Sequence, residues 1–288
     1  MDHTSYRFKI GSFDCIAIYD GFDGSMPAAD TAQFLFKNAP KQALASALRS
    51  NNFPKDIWKE IFTCLVIRTD QDCVLLDTGI GIRDDSPGAG KLLQNLKIVD
   101  IKPDEVDTIL ISHAHGDHIG GITDLSGKPN FPRARYYMRT EEWDFWTSET
   151  TLSNPAHHWM REFVDSQLIP ARDRFQLLKE DIEIIPGVET LFTPGHTPGN
   201  MSIIIKSGDT QLFYLGDVFL HPVQIEHPAW YSDVDILPHL NVQVRRQLLQ
   251  RLANEHALVF AYHFDFPCLG YIVKDGKKYT WQPIKDRA

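Results

Sequence analysis

The sequence predicts a layered α/β architecture in one domain, residues 1–288. Three observations carry that expectation. Strand-like segments recur in both halves with helical segments between them, and several apolar strands end in chemistry-bearing residues. No low-complexity segment, charge block or Pro/Gly/Ser linker divides the 288 residues. A hydrophobic content of 43% with 23% charged residues permits a large core and argues against disorder. The net charge of -9 disfavours phosphate-backbone binding, which needs clustered Lys and Arg, so nucleic acid is not an expected partner. Residues Met1 to Phe8 lack a basic region followed by an apolar run, and nothing approaches about 18 consecutive apolar residues. The expected compartment is therefore the cytoplasm, with no membrane partner. Cys15, Cys64, Cys73 and Cys268 are scattered and form no CxxC pair, which suits buried reduced thiols.

In chain order, residues 6–20 alternate polar and apolar around Gly11-Ser12 and predict a hairpin. Residues 63–69 and 73–78 repeat the pattern, and the second ends in Asp77-Thr78-Gly79, an acid at the mouth of a buried strand. Further strands are expected at 182–185, 189–193, 201–206, 211–215 and 257–261. Helices are expected at 40–50, 140–147, 156–167 and 236–254, the last with Leu240, Val244, Leu248 and Leu252 at four-residue spacing.

The most informative run is His113-Ala114-His115-Gly116-Asp117-His118, directly after the apolar stretch Thr108 to Ser112. In an extended backbone His113 and His115 point the same way and can face one ion. Gly116 then allows a sharp turn that re-aims Asp117 and His118. The bland alternative is a polar loop with surplus histidines. Three later segments repeat the device of a strand ending in a ligand type. They are Thr193-Pro194-Gly195-His196-Thr197-Pro198-Gly199-Asn200, then Leu215-Gly216-Asp217, then Tyr262-His263. Any one alone more often caps or hydrogen-bonds than binds metal; together they point to a metal centre. With no cysteine among them the donors suit Zn²⁺ and would also accept Fe, Mn or Co.

The ordered set HxHxDH, GHTPGN, LGD and a late histidine resembles the metallo-β-lactamase superfamily over roughly residues 60–270. The start Tyr6 to Gly11 and the ending His263 to Pro267 are similar to the branch of methyl parathion hydrolase-like enzymes and acyl-homoserine lactonases. The resemblance implies a four-layered αββα sandwich with a dinuclear metal site at the edge of two facing sheets. It implies that His113, His115 and His196 hold one ion, that Asp117, His118 and His263 hold the other, and that Asp217 bridges them. Asp217 stands where two-zinc lactamases often carry cysteine, which disfavours β-lactam hydrolysis. His115 stands where oxygen-reducing di-iron relatives carry an acid, which disfavours redox use.

The expected function is then hydrolysis by a metal-activated hydroxide. An ester or lactone is the leading substrate, an acyl-homoserine lactone first. The alternative is a phosphotriester or phosphodiester. Thioester hydrolysis of the glyoxalase II type, and a non-catalytic binding role, stand behind these. Asp117 is expected to orient the hydroxide besides ligating. Asp77 is either the acceptor for a ligating imidazole's other N–H or a turn cap. His221 is a candidate for contacting substrate or leaving group, against an ordinary loop histidine before Pro222. His157, His158, His227, His239 and His256 carry no spacing signal. Trp143, Phe145, Trp146, Trp159 and Phe163 within 140–175 form either a lid over the metals or plain core. The segment 24–62, with Phe34, Phe36, Phe53 and Trp58, is a second pocket wall or a homodimer contact.

Overall fold

Two seven-stranded mixed sheets lie face to face in a computed structural model that describes residues 4–285. The first sheet runs in chain order through β1 (Ser5–Ile10), β2 (Phe13–Asp23), β3 (Glu60–Arg68), β4 (Cys73–Leu76), β5 (Thr108–Leu110), β6 (Arg135–Arg139) and β7 (Phe175–Leu178). Its first four strands pair antiparallel, and β4 through β7 pair parallel. The second sheet contains β8 (Glu183–Ile185), β9 (Val188–Phe192), β10 (Met201–Ser207), β11 (Thr210–Tyr214), β12 (Leu258–Phe260), β13 (Leu269–Asp275) and β14 (Lys278–Pro283). It is antiparallel except where β11 pairs parallel with β12.

Period-two alternation decides which residues fill which layer. In β10, Ile203 and Ile205 join the cluster between the sheets with Ile16, Ile18, Val66 and Leu75, whereas Ile204 faces the other way. There Ile204, Phe213 and Val259 pack against Val244, Leu248 and Leu252 of the helix Pro238–Glu255. The four-residue repeat expected for this helix is the face it buries, although Leu240 lies only half-buried at its start. Helices Leu92–Ile98 and Thr140–Trp146 add Leu92, Leu96, Trp143 and Trp146 to the main cluster. The result is the expected αββα layering. None of the described helices is long and apolar enough to cross a membrane.

Four strands were not anticipated: β6, β7, β13 and β14. β6 reads Arg-Tyr-Tyr-Met-Arg, so its flanking charges mask a strand buried by its parallel neighbours. The single helix expected over 156–167 instead breaks into a 3-10 turn His158–Met160, a turn Arg161–Phe163 and a π turn Val164–Leu168.

The parallel pairs position the site. Because β4 and β5 run parallel, Asp77 and His113 emerge at the same end of the first sheet. Because β11 and β12 run parallel, Asp217 and His263 emerge together from the second. Active sites in parallel sheets collect at such carboxyl ends.

Candidate metal centre

Seven side chains from four chain segments meet between the two sheets. Asp217 Oδ2 lies 3.0 Å from His263 Nε2, 3.4 Å from His196 Nε2 and 3.7 Å from His113 Nε2, and its Oδ1 lies 3.3 Å from His118 Nε2. Asp117 Oδ2 lies 3.3 Å from His118 Nε2 and 3.4 Å from His263 Nε2. His115 presents Nδ1, 2.9 Å from His196 Nε2. The donor atoms of His113, His115, His196 and Asp217 fall within 4.8 Å of one another, as do those of Asp117, His118, Asp217 and His263.

These residues fit a pair of cations. His113 Nε2, His118 Nε2 and Asp217 Oδ1 are buried with no hydrogen-bond partner, a cost of about 1–3 kcal/mol each unless something accepts their lone pairs. A cation would do so. The N and O donors, without sulfur, suit a borderline or hard divalent ion.

Gly116 contributes differently from expectation. It opens a short helical turn, Gly116–Ile119, that carries Asp117 and His118 away from the strand end, and a Cβ there would collide with the Phe163 ring. Gly216 adopts φ +51° beside Asp217, and a Cβ would come within 2.9 Å of Ser112 Cβ.

Four of the five imidazoles have their outward nitrogen held. His118 Nδ1 donates to Asp77 Oδ2 at 2.7 Å, His196 Nδ1 to Asp235 Oδ1 at 2.9 Å and His263 Nδ1 to the Ile61 carbonyl at 3.0 Å, while His113 Nδ1 meets Ser112 Oγ at 3.2 Å. Such partners fix the tautomer and aim the other nitrogen at the centre. Of the two readings of Asp77, the geometry places it behind His118. It also accepts from Ser112 N–H, Ser112 Oγ–H and the Tyr214 hydroxyl.

Two supporting acids escaped the sequence reading. Glu142, fully buried, accepts from Ala114 N–H and Trp146 Nε1–H on one oxygen and from Thr197 Oγ1–H and Gly199 N–H on the other. It thereby laces the HxHxDH loop to the His196 loop. Asp235 backs His196 and is backed in turn by Arg245.

Burial sets the electrostatics, and neighbouring charge overrides it locally. Burial holds the His113 and His115 imidazoles well below their ordinary value, aided by the neighbouring imidazoles of His118 and His196 respectively. Against burial, the Asp117, Asp217 and Asp77 carboxylates raise His118 well above it, and Asp217 raises His263 to about 9. Against burial, the His263, His118 and His113 imidazoles keep Asp217 well below the usual carboxylate range. Burial lifts Glu60, at the cavity edge, to about 7.

A cavity of about 530 Å³ opens over the centre, with Asp117, Asp217, His115, His196 and His263 in its lining. Its apolar wall comprises Phe34, Phe62, Trp159, Phe163, Leu220 and Ile236. Asp23, Glu60 and Asp233 add acid, and no lysine or arginine among the described residues lines it. The lid-or-core alternative thus divides within the segment. Trp143 and Trp146 are core, at 7% and 0% exposure, while Trp159, at 49%, and Phe163 overhang the cavity. His157 lines it as well, without having given a spacing signal. His221 does not: it sits against Phe36, Phe53 and Trp58, and its Nδ1 accepts from Val223 N–H at 3.2 Å. From the segment 24–62, Phe34 reaches the cavity, whereas Phe36 turns into a separate cluster with Leu220 and Trp230.

Residues 62–263 match the family model of the Metallo-beta-lactamase superfamily. The chain is 25% identical over 219 residues to an N-acyl homoserine lactonase of Bacillus thuringiensis, covering 69% of this chain and 80% of that one. It is 31% identical over 154 residues to the probable metallo-hydrolase YqgX of Bacillus subtilis, covering 52% and 62%. Among solved structures, AidC, a dizinc quorum-quenching lactonase in complex with a product, superposes with TM-score 0.87 at 25% identity over 100% of both chains. The hydrolase AbOPH superposes with TM-score 0.89 at 27% identity, again over 100% of both.

Proposed function

This chain belongs to the metallo-β-lactamase superfamily and is a metal-dependent hydrolase, and we propose from that premise that it opens a neutral lactone, with N-acyl homoserine lactones as the substrate class. The observation that carries this reading is the cavity lining, acidic and aromatic and without a lysine or arginine among the described residues. A phosphodiester, or a thioester bearing glutathione's carboxylates, would face Asp23, Glu60 and Asp233 in that lining with no lysine or arginine to pair with. A neutral lactone with an apolar acyl tail meets no such penalty, and the aromatic wall offers the tail a place to desolvate.

In this reading His113, His115 and His196 would hold one divalent ion, Asp117, His118 and His263 a second, and Asp217, whose oxygens belong to both donor sets, would serve both. Zinc is the metal proposed, from the donor set and the dizinc lactonase it resembles. When bound, two such ions lower the pKa of water and polarise a carbonyl, supplying a nucleophile and an electrophilic catalyst at neutral pH. The chain's own residues do the rest. Asp117, the ligand carboxylate nearest open cavity, orients the attacking oxygen. Asp77, Asp235 and the Ile61 carbonyl keep His118, His196 and His263 in the tautomer that aims Nε2 inward. Trp159 and Phe163 exclude water from the acyl side.

The test is a hydrolysis panel on metal-stripped protein reloaded with Zn²⁺, Mn²⁺ or Co²⁺. It compares lactones of several acyl lengths, aryl esters, a phosphotriester, a phosphodiester and a thioester. The expected result is highest kcat/KM on an acyl-homoserine lactone and least on the anionic substrates. A phosphotriester turned over faster than every lactone would replace the reading with its rival.

A further inference from the structure

Arg245 is a guanidinium with no solvent exposure, inside a helix whose neighbouring positions bury Val244 and Leu248. A buried cation is expensive to desolvate, and removing one partner of a buried ion pair is destabilising because it leaves the other charge uncompensated. Its three arms go to three different segments. Nε donates to the Val218 carbonyl at 2.6 Å, one residue past Asp217. Nη1 donates to the Trp230 carbonyl at 2.7 Å. Nη2 reaches Asp235 Oδ2 at 3.4 Å, on the carboxylate whose other oxygen accepts from His196 Nδ1. One turn earlier on the same helix, Asn241 Nδ2 donates to Asp235 Oδ1 at 3.0 Å, so the pair Asn241 and Arg245 grips Asp235 from one rigid face.

The strip that Asp235 belongs to is itself tied to the His196 loop. Ile236 N–H donates to the His196 carbonyl and Leu237 N–H to the Gly195 carbonyl, both at 2.8 Å. The same strip carries Val234 and Ile236 into the cavity lining. Arg245 therefore touches, at one remove, the backbone behind Asp217, the carboxylate behind His196 and a wall of the cavity. It touches none of the carboxylates or carbonyls behind His118 and His263, which depend on Asp77 and Ile61.

We infer that Arg245 is a positioning residue for half of the centre: through Asp235 it sets the geometry at His196, and hence the affinity for the ion that His113, His115 and His196 hold. This rests on the two-ion reading above. It separates Arg245 from a generic core cation, because a core defect would loosen both ions together with the fold.

The experiment loads the full-length protein with Zn²⁺, dialyses it against a graded chelator and counts zinc per chain by mass spectrometry, alongside circular dichroism. The variants are R245M, R245K, which keeps the cation but not the fork, and D235N, which is nearly isosteric. H118A, which removes a donor from the other ion, provides the background for assignment. In each of the three variants one ion is expected to be held about 10–100-fold more weakly while the other keeps wild-type affinity. Combining D235N with H118A is expected to weaken the one ion that H118A retains. Wild-type affinity for both ions in R245K and D235N overturns the inference, as does equal weakening of both. If R245M does not fold, R245K and D235N decide the matter. A wild-type chain that takes up fewer than two ions overturns the two-ion reading itself, and the wild-type count alone reveals that outcome.

Discussion

His118 Nδ1 and Asp77 Oδ2 lie 2.7 Å apart, and the residue supplying that carboxylate holds a left-handed backbone, φ +59°, at the end of β4. A non-glycine residue there costs of order 1 kcal/mol or more. What offsets it is four hydrogen bonds converging on one carboxylate. Asp77→Asn leaves an amide that cannot accept from Ser112, Tyr214 and His118 together. We expect zinc affinity lower by about 10–100-fold and stability lower by about 1–3 kcal/mol. Competition with a chromophoric chelator and urea unfolding measure the two effects; unchanged zinc affinity would remove Asp77 from the centre.

Glu142 is tested separately, because it touches loops rather than ligand rings. In Glu142→Gln one oxygen becomes a donor facing donors, either Ala114 N–H and Trp146 Nε1–H or Thr197 Oγ1–H and Gly199 N–H. We expect a loss of about 2 kcal/mol or more in unfolding free energy. A midpoint in urea equal to wild type would show the lacing to be dispensable.

Burial holds His221 down at about 4, against an ordinary 6.5. Between those values the unfolded chain binds a proton that the folded chain does not. Stability therefore rises with pH across that window and is lost as pH falls from 6.5 toward 4, by up to about 2–3 kcal/mol. His221→Phe should flatten the slope while leaving kcat at the neutral optimum near wild type. Urea unfolding at several pH values reads the first effect; a collapse of kcat would return His221 to the catalytic candidates.

Trp146 and Trp159 lie in one segment but should fail in opposite ways. Trp146→Ala empties a fully buried site and strands Glu142, so it should cost about 3–5 kcal/mol. Trp159→Ala should leave the thermal midpoint within a few degrees and raise KM for long-chain lactones several-fold, with short-chain ones little changed. Equal KM shifts for both chain lengths would take Trp159 out of the acyl wall.

What the sequence revealed was local. His113, Asp217 and His263 each end an apolar stretch, His115, Asp117 and His118 follow His113 in one ligand-rich run, and His196 sits in a Pro/Gly turn after a strand, so pattern and residue type together exposed them. Asp77 was visible for the same reason. Glu142 was not, because an acid in the first turn of a short helix, Thr140-Glu141-Glu142, reads as a solvated helix start. Asp235 lies 39 residues from His196 in a polar loop, and only tertiary folding brings them together. Arg245 left a faint mark: with Asn241, Leu248 and Leu252 it lies at helical spacing on the buried side, whereas its neighbour Arg246 faces solvent.

The acids at the cavity edge matter most once the reaction is over. On the lactonase reading, ring opening turns a neutral lactone into a carboxylate, so substrate and product differ by a full negative charge. Asp23 and Glu60 line the cavity, and no lysine or arginine among the described residues lines it with them. On that reading the ionised acids of the lining would repel the product more than the substrate.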